Sequence, residues 1–101
     1  MSANDIDKID DVIHGRLRLG VMAYLANAEA ATFTELKDEL NVTQGNLSIQ
    51  LRKLEDAGYV AIDKRISGRK PLTTVRLTRL GRKAFGDYLD ALAKVVGKRM
   101  D

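Results

Sequence analysis

Three residues, Asn41-Val42-Thr43, constrain this chain more than any other stretch. Before them, TELKDEL (34–40) carries apolar residues at Leu36 and Leu40. After them, QGNLSIQLRKLEDAG (44–58) carries Leu47, Leu51 and Leu54, a helical spacing that stops at Gly58. Two periodic segments with so little chain between them are two short helices joined by a tight turn. Asn41 tolerates the left-handed conformation that ends a helix, and Val42 plugs the turn. Thr43 is the expected N-cap of the second helix, and Thr34 that of the first.

The residues that follow add a hairpin over 59–78. Tyr59 to Lys64 is rich in β-branched and aromatic residues, Ser67-Gly68-Arg69-Lys70-Pro71 is a turn, and Thr73 to Thr78 returns as a second strand with Val75 and Leu77 inward. Helices over 34–57 followed by a hairpin make a helix-turn-helix with a wing, an arrangement that sets its second helix into a DNA major groove. Charge points the same way. The net +3 conceals −3 over residues 1–13 and +6 over the remaining 88, and positions 64–83 hold eight cations and no acid. A basic hairpin beside such a helix pair is expected to face phosphates.

At 100° per residue, Leu47, Leu51, Leu54 and Gly58 form the buried side of the second helix. Gly45, Asn46, Ile49, Arg52, Lys53 and Asp56 lie broadly opposite, Gln44 and Gln50 on the flanks, and Ser48 is expected near the first helix. Gln44, Asn46 and Gln50 each carry donor and acceptor, as bidentate reading of adenine requires. Gly45 lets the backbone come close to the sugar-phosphate chain. Ile49 either meets thymine methyl groups or is a plain surface aliphatic. The expected base-reading set is therefore Gln44, Gly45, Asn46, Ile49 and Gln50. The expected phosphate set is Thr43, Arg52 and Lys53 with the hairpin residues Arg65, Arg69, Lys70 and Arg76, the tip lying along the backbone or in the minor groove.

The ends of the chain are also patterned. Residues 1–4 are expected to lack order. Ile6, Ile9 and Ile13 share a face of an acidic helix over 5–13 that Gly15 interrupts, and a further helix runs from Arg16 to Asn27. Phe33 is expected in a short extended piece pairing with the base of the wing. Thr78 caps a last helix over 79–99, whose stripe is Phe85, Tyr88, Leu89, Leu92, Val95 and Val96. That stripe exceeds what a compact body of about seventy residues covers. Either the terminal helices form a two-fold interface from these residues and Ile6, Ile9 and Ile13, or the two ends pack on each other within one chain.

Length allows one domain, 1–101, mainly α with a small β-hairpin wing. There is no cysteine, no apolar run near the roughly 20 residues of a membrane span, and an acidic rather than signal-like start, which implies a cytoplasmic, nucleoid-associated protein. No phosphate-cradling Gly-rich loop, nucleophile–His pair or facing carboxylate pair suggests an enzyme. With His14 the sole histidine, no metal or other cofactor is expected, and His14 reads as a structural hydrogen-bonder.

The run FTELKDELNVTQGNLSIQLRKLEDAGYVAIDK, with GRKPLTTVRLTRLGRKAF beyond it, resembles the small winged helix-turn-helix regulators of the MarR and ArsR-like groups. The most specific pieces are L-x-x-L-E-x-A-G-Y-V (51–60), the wing G-R-K-P (68–71) and L-T-x-x-G-R (77–82). The resemblance, which covers about 14–88, implies a dimeric transcriptional regulator, with dimer contacts from the first and last helices and double-stranded DNA as partner. Larger members use extra helices to shape an effector cavity, for which this chain has little length. The competing readings are an architectural chromatin protein on the same fold and a protein-interaction adaptor.

Overall fold

The computed structural model describes residues 3–100, with the side chains of residues 5–97. Its elements are α1 (Ala3–Asp7), α2 (Arg16–Asn27), β1 (Ala31–Thr32), α3 (Phe33–Leu40), α4 (Gln44–Asp56), β2 (Val60–Ser67), β3 (Lys70–Leu77) and α5 (Arg79–Met100). The strands form one antiparallel sheet in the order β1-β3-β2, with Ala31 opposite Val75 and Val60 opposite Leu77. This is a mainly helical winged helix-turn-helix fold. Among the described residues no helix is long and apolar enough to cross a membrane.

The helix pair is bounded by local chemistry. Asn41 ends α3 at φ 50°, and the Thr43 hydroxyl accepts the Asn46 N–H to start α4. The start of α3 differs from expectation by two residues. Thr32, not Thr34, is the N-cap: its hydroxyl accepts the Glu35 N–H at 3.0 Å, and the Glu35 carboxylate accepts the Thr32 N–H in return. Thr32-x-x-Glu35 is a capping box, and Thr34 has Lys37 where the reciprocal acid would be. Phe33 accordingly opens the helix, and the extended pair is Ala31–Thr32.

Leu36, Leu47, Leu51 and Leu54 meet Val21, Met22 and Leu25 of α2 and Val60, Val75 and Leu77 of the sheet in one core. Truncating any of the fully buried leucines to Ala is expected to cost about 2–5 kcal/mol. The wing is thus anchored at its base and bare at its tip, where 63–71 are all exposed. A two-residue loop, Gly68–Arg69, joins the strands, with Gly68 at φ 66°, the conformation that favours glycine at the first loop position.

The stretches 51–60 and 77–82 form one joint in space. The Tyr59 carbonyl accepts the Thr78 N–H at 3.0 Å, and the Thr78 hydroxyl donates to the Gly58 carbonyl at 2.6 Å while accepting the Gly81 N–H at 2.9 Å. Thr78 thereby caps α5, as expected, and ties it to the end of α4. A methyl on Gly81 would lie 1.9 Å from the Tyr59 carbonyl oxygen, so only glycine permits this approach.

The N-terminal helix is shorter than the isoleucine spacing suggests. It ends at Asp7, because Asp10 Oδ1 accepts the N–H groups of Val12 (2.8 Å) and Ile13 (3.2 Å) and so holds a turn that competes with helix. Of the expected disorder at 1–4, residues 1 and 2 lie outside the described residues, while Ala3 and Asn4 open α1. The two ends do pack together within one chain, α1 against α5. Ile13, Phe85 and Tyr88, expected on an interface between copies, are instead spent inside the protomer: Ile13 is 0% and Tyr88 1% exposed. Tyr88 reaches Nδ1 of His14 at 2.9 Å, so the histidine is a hydrogen-bonder as expected. Ile6, Leu89 and Val96 remain exposed, and Ile9, Leu92 and Val95 half-buried.

Candidate nucleic-acid interface

With Leu47, Leu51 and Leu54 turned inward, the outward side of α4 presents Gln44, Gly45, Asn46, Ile49, Arg52 and Lys53, all exposed. Ile49 is 57% exposed, an apolar side chain on a polar face. A methyl on Gly45 would meet nothing within 4 Å, so packing does not require glycine there and the backbone is open to a ligand. Ser48 is exposed and lines the space toward the wing, along with Phe33 of α3.

Between α4 and the wing runs an open groove of about 880 Å³. Ile49, Arg52 and Lys53 line it from the helix; Ile62, Lys64 and Thr73 line it from the hairpin. Strand pairing decides which wing residues take part. Lys64 lies opposite Thr73 and Ile62 opposite Val75, so these positions share the face toward α4, and Ile66 and Pro71 continue it to the tip. Arg65 and Arg76 fall on alternate positions and face away from the groove, and Arg65 is paired with Asp63 on that outer face. The sequence grouped Arg65 and Arg76 with Arg52 and Lys53 as phosphate contacts; the register sets these two on the hairpin's other face. Lys64, absent from the expected phosphate set, lines the groove with Arg52 and Lys53. The alternation that turns Val75 inward was the available signal.

Among the described residues none of Arg52, Lys53, Lys64, Arg69 and Lys70 forms an ion pair. The groove and tip thus carry cations that no carboxylate pairs with; Glu55 is the acid in the groove's lining, and cations outnumbering it suit the surface to phosphates. No group of three His, Cys, Asp or Glu among the described residues stands close enough to hold a metal.

Gln50 is half-buried and already engaged. Its Oε1 accepts from Nη1 of Arg18 on α2 at 2.6 Å, and its Nε2 donates to Oδ1 of Asn46 at 3.0 Å. Arg18 was absent from the expected set, since nothing local connects it to a residue 32 positions away. Behind α4, the Tyr59 hydroxyl donates to Asp10 Oδ2 at 2.5 Å; that hydrogen bond, then burial, pushes the phenol pKa up to about 12. A second concavity there, about 230 Å³ and lined by Lys8, Asp10, Tyr59 and Lys83 among others, is smaller than the roughly 300–1,000 Å³ of typical small-molecule sites.

A family model described as a winged helix DNA-binding domain matches residues 17–96. The chain belongs to that family. This winged helix domain is 35% identical over 78 residues to an uncharacterized protein of Methanocaldococcus jannaschii, covering 77% of this chain and 85% of the relative. A transcriptional regulator homologue of Pyrococcus horikoshii superposes with a TM-score of 0.88 at 30% identity, over 94% of this chain and 96% of that one. The transcriptional regulator BldR of Sulfolobus solfataricus has a TM-score of 0.68 at 21% identity, over 83% of this chain and 59% of its own, a likeness of fold.

Proposed function

We propose that this winged helix domain is a homodimeric, sequence-specific double-stranded-DNA-binding transcriptional regulator that represses by occupying its site. The observation that carries the proposal is the groove in which Arg52, Lys53 and Lys64 stand unpaired beside the amide-bearing face of α4. In this reading α4 enters the major groove and Asn46, Gln44, Ile49 and Gln50 meet base edges. Arg52, Lys53 and Lys64 hold the adjacent backbone, and Arg69 and Lys70 at the tip reach the minor groove. The related regulator homologue of Pyrococcus horikoshii supports the regulatory role.

Dimerisation rests on surface that one copy leaves bare. Ile6, Leu89 and Val96 are large, apolar and exposed. The accessible surface of 6912 Å² exceeds the roughly 5,700 Å² of a compact monomer of 11.2 kDa by about a fifth. A dimer built on α5, 22 residues and about 33 Å long, implies a pseudo-palindromic site with half-sites about 34–36 Å apart.

The test is fluorescence anisotropy with the protein's own upstream region and a shuffled duplex, each at two salt concentrations, alongside sedimentation of the free protein. A preference of about a hundredfold or more, on the order of 3 kcal/mol, is expected for a specific regulator. Equal and strongly salt-dependent affinity would instead support the architectural reading, and no binding at low salt the adaptor reading. Asn46→Ala should relax sequence preference, whereas Arg69→Ala should weaken all duplexes alike. A monomer at micromolar concentration would remove the two-fold site.

A further inference from the structure

We infer that Arg18, which lies behind the recognition helix and outside its DNA face, sets the hydrogen-bonding polarity of the Asn46–Gln50 pair and through it the base that Gln50 accepts. The inference rests on the base-reading role proposed for α4. An isolated glutamine can offer its carbonyl or its amide outward, and two such groups together read adenine. Gln50 is not isolated. Its Oε1 is held toward α2 by Arg18 Nη1 at 2.6 Å and its Nε2 is directed at Asn46 Oδ1, so it has left one N–H and one lone pair, the latter on an oxygen turned to Arg18. Asn46 retains both Nδ2 hydrogens and one lone pair. The pair is donor-rich, and in the major groove donors find both N7 and O6 of guanine, O4 of thymine, but only N7 of adenine, whose N6 amino group is itself a donor. Bidentate reading of adenine by Gln50, the expectation from the sequence, needs that oxygen turned outward beside the N–H, and Arg18 holds it toward α2.

Arg18 is itself held in place. Its Nε donates to the Val12 carbonyl at 2.5 Å, and Val12 sits in the turn that Asp10 holds with its side chain. Asp10 in turn accepts the Tyr59 hydroxyl from the far end of α4. Gly15 makes room: a methyl there would lie 2.6 Å from Arg18 Nη2. Both acceptors of Arg18 are neutral carbonyls, and among the described residues no carboxylate pairs with it. The geometry fits a positioning residue, with the guanidinium orienting an amide rather than neutralising an acid.

Two substitutions separate position from charge. Arg18→Met removes the guanidinium, while Gly15→Ala keeps it and forces it to move, at little cost to the fold because the obstructed group is the flexible end of a side chain. Wild type and both variants would select from a duplex pool randomised across the site, with the salt dependence of each measured on one arbitrary duplex. At one position per half-site, wild type should exclude adenine by about tenfold and both variants should accept it. Preferences elsewhere and the salt slope should not change, an outcome that loss of stability alone does not produce. Identical preferences in all three proteins would overturn the inference, as would uniform weakening with a shallower salt slope, which would make Arg18 a phosphate contact. A wild type without preference at any position would overturn the regulator reading and this inference with it. Independently of DNA, the Gln50 side-chain amide resonances of the free protein should shift in both variants; unmoved resonances would overturn the contact itself. If Arg18→Met does not fold, Gly15→Ala carries the same readouts.

Discussion

The base and the tip of the wing belong to one hairpin and answer to different physics. At the base, Val60, Val75 and Leu77 are buried, and the backbone of Tyr59 touches Gly81 so closely that no side chain fits between. At the tip, Lys64 to Pro71 are exposed, and a methyl on Gly68 would meet nothing within 4 Å. The base is therefore decided by folding, where a change of one methyl is felt through a close-packed interior. The tip is free of that constraint, so packing does not dictate its composition. A hairpin that is rigid at its root can carry an unpacked, charged end at a defined place beside α4.

The contrast is sharpest in Gly81→Ala, the largest expected effect. It should lose about 3 kcal/mol or more, since the Tyr59 carbonyl is backbone and cannot step aside cheaply. Urea denaturation measures this, and an unchanged midpoint would mean that the joint yields. Arg69→Ala combined with Lys70→Ala at the tip should leave that midpoint within about 0.5 kcal/mol. The same pair should reduce the slope of log affinity against log salt by about 0.9 for each phosphate no longer neutralised. A tip as costly to alter as the base would break the comparison.

Smaller effects test the two faces of the hairpin. Lys64→Ala, facing the groove, should reduce the salt slope by about 0.9 per protomer, whereas Arg76→Ala, facing away, should leave it unaltered. Equal effects would show that register does not decide which cations meet DNA. The smallest effect concerns alkaline pH. The Tyr59 phenol is held near 12 in the folded protein and has its ordinary value near 10 when unfolded, so folding favours the protonated form. Its contribution is full below about pH 10 and declines as pH rises toward 12. Tyr59→Phe should flatten that part of the stability profile, as read from denaturation midpoints at about pH 9 and about pH 11.5, either side of the ordinary phenol value.

Much of the candidate interface was legible because it is written in short-range patterns. Leu47, Leu51 and Leu54 recur at the period of one helix, so their burial and the outward set around Asn46 and Arg52 follow from neighbouring residues alone. Thr43 and Thr78 act as the caps their positions imply. The capping box was equally local: Glu35, three positions after Thr32, is the signal that marks Thr32 rather than Thr34 as the cap.

By itself, then, the sequence determined the helix pair, the hairpin, the turn at Gly68 and the basic character of the wing, all properties of residues a few positions apart. Tertiary structure decided which faces meet. Only packing could turn Ile13 and Tyr88 into the protomer, bring Gly81 against Tyr59, and place Lys64 rather than Arg65 or Arg76 across from Arg52. The same holds for Arg18, whose contact with Gln50 spans 32 positions. Periodicity says which side chains share a face, but the partner of that face is chosen by how the whole chain closes its core.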